Sequence, residues 1–208
     1  MVDVVKVLDL FSGLEGWSAP FQAAGHDVIT LDMDPRFGAD MQVDILTVDA
    51  GSFPWRPDII LASPPCEGFS VMTIGRNWHY DGRPKTAKAA LSLRIVEKTL
   101  DLIEQLKPAF FIIENPRAKL RKLPIMQDYD RRTVTYCQYG EARMKPTDLW
   151  GGFPKSLILD PPCRNGDLCH VRAVRGSRTG TQGMNRYESA KIPYPLADDV
   201  RRAAERDL

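Results

Sequence analysis

Residues 4–17 read VVKVLDLFSGLEGW, and the fold turns on how that stretch is read. Residues 4–11 are short, β-branched and apolar apart from Lys6 and Asp9, and they stop at Ser12-Gly13. A run of this kind predicts a strand buried on both faces, as in a parallel sheet. Residues 16–24 predict a helix, stopped by Gly25. Working outward, residues 27–32 (DVITLD) form a second apolar run that ends in acid, and residues 58–62 (DIILA) a third, halted by Ser63-Pro64-Pro65. From Ala87 to Leu106 the residues Leu91, Ile95, Leu102 and Leu106 fall at helical spacing, and Pro108 closes that helix. Residues 109–113 (AFFII) make a further buried strand, ending at Glu114-Asn115-Pro116. Alternating strands and helices predict an α/β fold with a doubly wound, mostly parallel sheet. Ligands of such sheets lie at the carboxyl ends of the strands, where the Gly, Pro and acidic punctuation sits here.

Past Pro146 the pattern weakens. Residues 160–187 hold Arg164, Arg172, Arg175, Arg178 and Arg186 against Asp160 and Asp167, with Gly176, Gly180 and Gly183 marking a loop. Residues 195–206 predict a closing helix with an N-terminal proline. The expected organisation is a catalytic, ligand-binding domain over 1–150, a basic region over 151–190, and a C-terminal helix over 191–208 that returns to the first domain.

The chain has 208 residues, 28 Lys and Arg against 27 Asp and Glu, and 43% hydrophobic residues. That suits one domain with a real core and excludes a simple polycation. No apolar run approaches the roughly 20 residues of a membrane span, and the N-terminus lacks a signal-peptide layout. Four cysteines are too few for a disulfide scaffold at this length. The expectation is a cytoplasmic monomer with no membrane partner.

Three motifs carry chemistry. Asp9-Leu10-Phe11-Ser12-Gly13-Leu14-Glu15-Gly16-Trp17 joins a strand to a helix, where small residues and free N–H groups admit a carboxylate or phosphate. Asp32 or Asp34 lies about 20 residues on, the place for an acid that binds ribose hydroxyls. Ser63-Pro64-Pro65-Cys66-Glu67-Gly68-Phe69-Ser70 fixes a thiol at the mouth of the sheet, a nucleophile if its pKa is lowered. Glu114-Asn115-Pro116 sets a carboxylate after a buried strand, able to bond a base edge and move a proton.

In this order DLFSGxxG, the acid, SPPCxxFS and ENP resemble the DNA cytosine-5 methyltransferase family over roughly residues 4–150. The resemblance implies the Rossmann-like fold of S-adenosylmethionine-dependent methyltransferases and methyl transfer to C5 of cytosine. Cys66 would add to C6 of a base flipped out of double-stranded DNA, with Glu114 on the N3/N4 edge. Enzymes that methylate an exocyclic nitrogen carry an aromatic where Cys66 stands, because nitrogen needs no covalent nucleophile. The resemblance assigns the cofactor to Phe11, Gly13, Gly16, Trp17, Asp32 and Asp44. Competing readings are the same chemistry on RNA and a non-catalytic DNA-binding module. The first lacks its Cys-Phe-Thr element, and intact Cys66 and Glu114 weigh against the second.

Several positions depart from the family. Glu15 stands where glycine is usual. The Gln-x-Arg-x-Arg motif is absent, and Tyr139-Gly140 is followed by Arg143, Lys145 and Thr147. Arg143 is assigned the pyrimidine O2. Ile192–Ala197 faintly resembles the last family motif without its Gly-Asn. The usual large target-recognition domain is reduced to about 40 residues, so the loop His170–Arg186, with Arg172, Arg175 and Arg178, is assigned to DNA, implying a recognition sequence of two to four base pairs. Arg76 and Arg83 belong to a segment, Phe69–Lys88, that matches the family's mobile DNA-closing loop and is expected to be disordered without DNA. Cys163, Cys169 and His170 form a Cys-x5-Cys-His cluster that could ligate zinc with Cys137 as a fourth residue. Its spacing is not a standard finger pattern, and no metal ligand is assigned from the sequence.

Overall fold

The computed structural model describes residues 3–172, 185, 187 and 190–208. Six strands form one sheet in the order β2-β1-β3-β4-β6-β5. They are β1 Lys6–Leu10, β2 Asp27–Leu31, β3 Ile59–Ala62, β4 Phe110–Pro116, β5 Arg131–Thr135 and β6 Pro146–Gly152. The β1–β2, β1–β3 and β3–β4 pairs are parallel, while β6 runs antiparallel to both β4 and β5. The doubly wound, mostly parallel sheet expected from the sequence is therefore present. Its winding direction reverses between β1 and β3, which opens a crevice at their carboxyl ends.

Helices cover both faces. Helix α1, Ala19–Ala23, is shorter than the 16–24 expected from the sequence. The chain from Phe11 to Glu15 passes three times through positive φ (Phe11 61°, Gly13 48°, Glu15 55°), so no helix can start there. Helix α2 is the single turn Ile74–Asn77. Helix α3, Ala87–Leu106, has the expected bounds. Thr86 Oγ1 caps it by accepting from Ala89 N at 3.2 Å, and it ends at Lys107 in a left-handed conformation before Pro108. Its buried face is Ala89, Ser92, Val96, Thr99, Leu100 and Ile103 together with the expected Leu102 and Leu106. Leu91 instead faces solvent.

Two cores result. One packs α3 over Leu8, Leu10, Ile60 and Ile113. The other packs α1 and α4, Tyr194–Asp207, over Val7, Ile59, Leu61 and Leu149. Ala197, Val200, Ala203 and Ala204 of α4 are fully buried and small, so the helix approaches closely beside Phe21. His26 Nε2 and Glu205 Oε1 meet at 2.8 Å and tie β2 to the end of α4. Each fully buried Leu or Phe contributes roughly 1.5–3 kcal/mol of transfer free energy.

Among the described residues no helix is long and apolar enough to cross a membrane.

Candidate active site

Strand register assembles the site. Leu31, Leu10, Ala62 and Ile113 stand side by side across β2, β1, β3 and β4. The next residue of each strand is Asp32, Phe11, Ser63 and Glu114. The sequence motifs thus begin at one level along the carboxyl edge of the sheet, which is why four segments far apart in the chain meet there.

At β1 the turn after Phe11 is held to β2 by Asp32. Its Oδ2 accepts from Gly13 N at 3.0 Å, and its Oδ1 accepts from Asp34 N at 2.8 Å. Around Gly13 only Phe11 O comes within 4 Å of where a Cβ would sit, so this backbone is open to a ligand. A Cβ on Gly16 would lie 2.8 Å from Ile192 Cβ, so glycine lets the turn dock against the segment leading into α4. Trp17 is buried in the second core and donates from Nε1 to Ser63 Oγ at 3.1 Å. It supports the site from below and links the β1 and β3 loops. Asp44 caps the 3-10 turn Ile45–Thr47 by accepting from Leu46 N at 3.0 Å. A cavity of about 650 Å³ is lined by Glu15, Gly16, Tyr139, Glu141, Lys191 and Ile192, among others. Of the residues assigned to the cofactor, Gly16 alone lines it.

The β3 loop places Cys66 at the start of a 3-10 turn, Cys66–Gly68. Asn115 holds that loop to β4, donating from Nδ2 to Pro64 O at 2.8 Å. Cys66 is open to solvent. Partial desolvation pushes its thiol pKa up, the Glu114 carboxylate pushes it further, and Lys145 opposes both.

Glu114 lies at the floor, 5% exposed. Burial raises its carboxyl pKa, while Lys145 and the Tyr136 hydroxyl favour the anion. Tyr136 donates to Glu114 Oε1 at 2.9 Å, and Lys145 Nζ stands 3.9 Å from the same oxygen. Lys145 Nζ also lies 4.2 Å from the centre of the Tyr136 ring. Burial lowers the Lys145 pKa, and Glu114 and Cys66 draw it back up. Carboxyl, ammonium and phenol therefore form one cluster, near enough to the Cys66 thiol for its charges to act there. Sequence reasoning assigned Arg143 here, but the cation beside Glu114 is Lys145, two residues further on. Arg143 is half-buried. Lys145 was visible in the register after Tyr139-Gly140. Tyr136 had no such signal, since it follows a strand the sequence did not announce.

The segment Phe69–Lys88, expected to be disordered, is folded. Trp78 is buried, stacks on Phe69 with ring centres 5.6 Å apart, and donates from Nε1 to Gly68 O at 2.8 Å. Asn77, also buried, donates from Nδ2 to the same carbonyl at 3.2 Å. An aromatic anchor against the Cys66 loop supplies the packing that a free loop lacks. Arg76 and Arg83 are exposed, and Arg83 Nε donates to Asp81 Oδ2 at 2.7 Å. Arg172 is exposed. Arg175 and Arg178 lie outside the described residues.

Comparison with known proteins follows the same lines. Residues 5–122 match the family of C-5 cytosine-specific DNA methylases. The chain is 29% identical over 207 residues to the "Probable DNA (cytosine-5)-methyltransferase" of Frog virus 3 (isolate Goorha), covering 91% of this chain and 95% of the viral one. It is 31% identical to the Type II methyltransferase M.AplI of Arthrospira platensis over 56% of its own length, but spans only 32% of that enzyme. Among solved structures it resembles the Entamoeba histolytica methyltransferase EhMeth, with a TM-score of 0.54 at 13% identity, covering 78% of this chain and 57% of that one. That likeness is one of fold. With the family match spanning the β1, β3 and β4 motifs and the edge they share, the chain belongs to the C-5 cytosine-specific DNA methylases.

Proposed function

We propose that this chain transfers a methyl group from S-adenosylmethionine to C5 of cytosine in double-stranded DNA. The observation that carries the reading is the placement of the solvent-open Cys66 thiol and the buried Glu114 carboxyl at the carboxyl ends of the adjacent strands β3 and β4. The cytosine must leave the duplex stack to reach that depth. Cys66 gives its proton to solvent and its Sγ bonds to C6. Glu114, whose buried carboxyl favours the protonated form, gives its proton to N3, so the ring electrons collect at C5 as an enamine. Lys145 stabilises the Cys66 thiolate first and the Glu114 carboxylate after proton transfer. Once C5 has taken the methyl group, its proton passes to solvent, Cys66 leaves as the thiolate and N3 returns its proton to Glu114, which restores the aromatic ring.

S-adenosylmethionine supplies the electrophilic methyl sulfonium that accepts the C5 electron pair. The open backbone at Gly13 and the crevice at the β1–β3 reversal fit such a group. Phe11, Gly13, Gly16, Asp32 and Asp44 would hold it, and Asp32 keeps lone pairs free for ribose hydroxyls beyond the two N–H groups it already accepts. Trp17 would act from beneath, by fixing the turn. Arg76, Arg83, Arg172, Arg175 and Arg178 would meet phosphates or base edges. Residues 151–190 would serve as a reduced recognition region between the catalytic part and α4.

The test is nucleoside mass spectrometry of duplex DNA and tRNA incubated with the protein and S-adenosylmethionine. 5-Methylcytosine is expected in the DNA, and a fluorinated cytosine should trap a covalent complex through Cys66. Cys66→Ala should abolish product while leaving S-adenosylmethionine affinity within about twofold. Product formation without the thiol would overturn the mechanism.

A further inference from the structure

Past β6 the chain leaves the sheet, and beyond Leu157 and Leu159, which pack into the second core, it has almost no core of its own. From Phe153 to Arg172 no helix or strand forms, and Ile158 and Leu168 are 86% and 103% exposed. Yet this stretch is held at several points to residues 135–142. Asp160 N donates to Tyr139 Oη at 2.9 Å, Cys163 N to Thr135 Oγ1 at 3.0 Å, and Val171 N to Ala142 O at 2.8 Å. Between these tethers the excursion brings Cys163, Cys169 and His170 against Cys137, which sits in the 3-10 turn Tyr136–Tyr139.

Four donor atoms converge there. Cys137 Sγ lies 3.1 Å from Cys163 Sγ and 3.6 Å from Cys169 Sγ. His170 Nδ1 lies 3.6 Å from Cys163 Sγ and 3.3 Å from Cys169 Sγ. All four atoms fall within 4.8 Å of one another. A disulfide would need about 2.05 Å between sulfurs, so these are separate thiols. A tetrahedral zinc with bonds of about 2.3 Å to sulfur and 2.0–2.1 Å to nitrogen sets sulfur–sulfur edges near 3.8 Å and sulfur–nitrogen edges near 3.6 Å. The observed separations lie at those values or up to about 0.7 Å short of them, so the cluster needs only a small expansion to take the ion, and three thiols with one imidazole make a closed structural donor set.

We propose that Cys137, Cys163, Cys169 and His170 bind a structural zinc ion that fastens the 153–172 excursion to the catalytic sheet. Each bound thiol gives its proton to solvent, and His170 binds through Nδ1 with its proton on Nε2. The long 3.5 Å approach of Gly166 N to Nε2 is then given up. The ion replaces the hydrophobic core that so short an excursion cannot build. Cys137 directly follows Tyr136, so the same ion steadies the phenol that reaches Glu114.

The site does not depend on the methyl-transfer reading and is tested without DNA or methyl donor. The full chain, prepared under reducing conditions with zinc supplied, should carry one zinc per chain by elemental analysis. In that state Cys66 should react with a thiol reagent at once and the other three cysteines only after chelation. Cobalt in place of zinc should give the visible and charge-transfer bands of a tetrahedral thiolate site. Cys163→Ser and Cys169→Ser should each lose the metal, whereas His170→Cys should keep it with a shifted cobalt spectrum, which guards against variants that simply misfold. A chain with well under one-tenth of an equivalent of zinc and four equally reactive thiols would overturn the site, as would a Cys137–Cys163 disulfide isolated in place of the metal.

Discussion

At the residue scale the site is a problem of charge in a confined space. In the proposed reaction Cys66 has to ionise, yet both its surroundings and Glu114 resist that. Lys145 is the group that opposes them, and it favours the Glu114 anion as well. Lys145→Met should therefore move both acids to higher pKa. The Cys66 alkylation profile should shift to higher pH, and kcat should fall about 10²-fold, with S-adenosylmethionine affinity little changed. An unshifted alkylation profile would remove Lys145 from the mechanism. Asp9 illustrates the same physics without a catalytic role. It is fully buried, and desolvation lifts its carboxyl from 3.8 to about 7, with Ser18 hydrogen bonding opposing only in part. Below pH 3.8 the acid is protonated in both folded and unfolded chains and exacts no penalty. Between that pH and about 7 the unfolded chain ionises while the folded chain holds its proton, so stability falls as pH rises and levels off above 7. The contribution is at most about 4 kcal/mol. Asp9→Asn should flatten this part of the pH dependence in urea unfolding and raise stability at pH 8 relative to the parent. An unchanged slope between pH 4 and 7 would refute the assignment.

At the element scale, what could be read from the chain follows from how each segment is buried. Strands β1 to β4 were legible because parallel strands covered on both faces are continuous apolar runs. Helix α3 had both a period and a proline stop. β5 (RRTVT) and β6 (PTDLWGG) were not legible, since both are short, polar in part and lack a continuous apolar run. β6 is nevertheless almost wholly buried, and its polar Asp148 accepts at Oδ1 from Arg121 Nη2 at 2.9 Å and Thr133 Oγ1 at 2.7 Å and pairs through Oδ2 with the Arg121 guanidinium. Tyr136 and Lys145 lie at the ends of this unannounced pair, so half of the catalytic floor was hidden with it. The aromatic stretch after Phe69 misled in the opposite direction. Aromatics among basic residues suggest nucleic-acid contact, but Trp78 serves the core. Gly68 shows how tightly that segment is set. Its carbonyl receives both Trp78 and Asn77, and a Cβ there would lie 2.2 Å from Ser92 Oγ on α3. Gly68→Ala should cost about 1–3 kcal/mol of stability and displace Cys66, lowering kcat more than it weakens cofactor binding. Adding Ser92→Gly should recover most of the loss in activity, and a double variant no better than the single would show that the clash is not the cause.

At the scale of the whole molecule, the distribution of residues between chemistry and recognition sets what the protein can discriminate. The catalytic edge draws on β1, β2, β3 and β4 and on both cores, whereas only about 40 residues separate the end of β6 from the start of α4. The first 20 of these form the excursion, held by Leu157 in the second core and by hydrogen bonds to residues 135–142 and to Asp207. Base readout needs side chains placed to a fraction of an ångström on a rigid support, and each bidentate contact contributes about 1–3 kcal/mol of discrimination. A region of this size presents few arginines, and the phosphate contacts they share carry no sequence information. Discrimination should therefore be confined to two to four base pairs, with affinity falling steeply as salt rises. Bisulfite sequencing of random duplex DNA treated with the protein should return methylation at a short consensus with tolerant flanks. Alanine at Arg76 and Arg83 should weaken binding about equally across sequences and reduce the salt slope, leaving the consensus intact. A strict consensus of six or more base pairs would require a recognition surface larger than 151–190 can supply, and would place part of the readout on a partner.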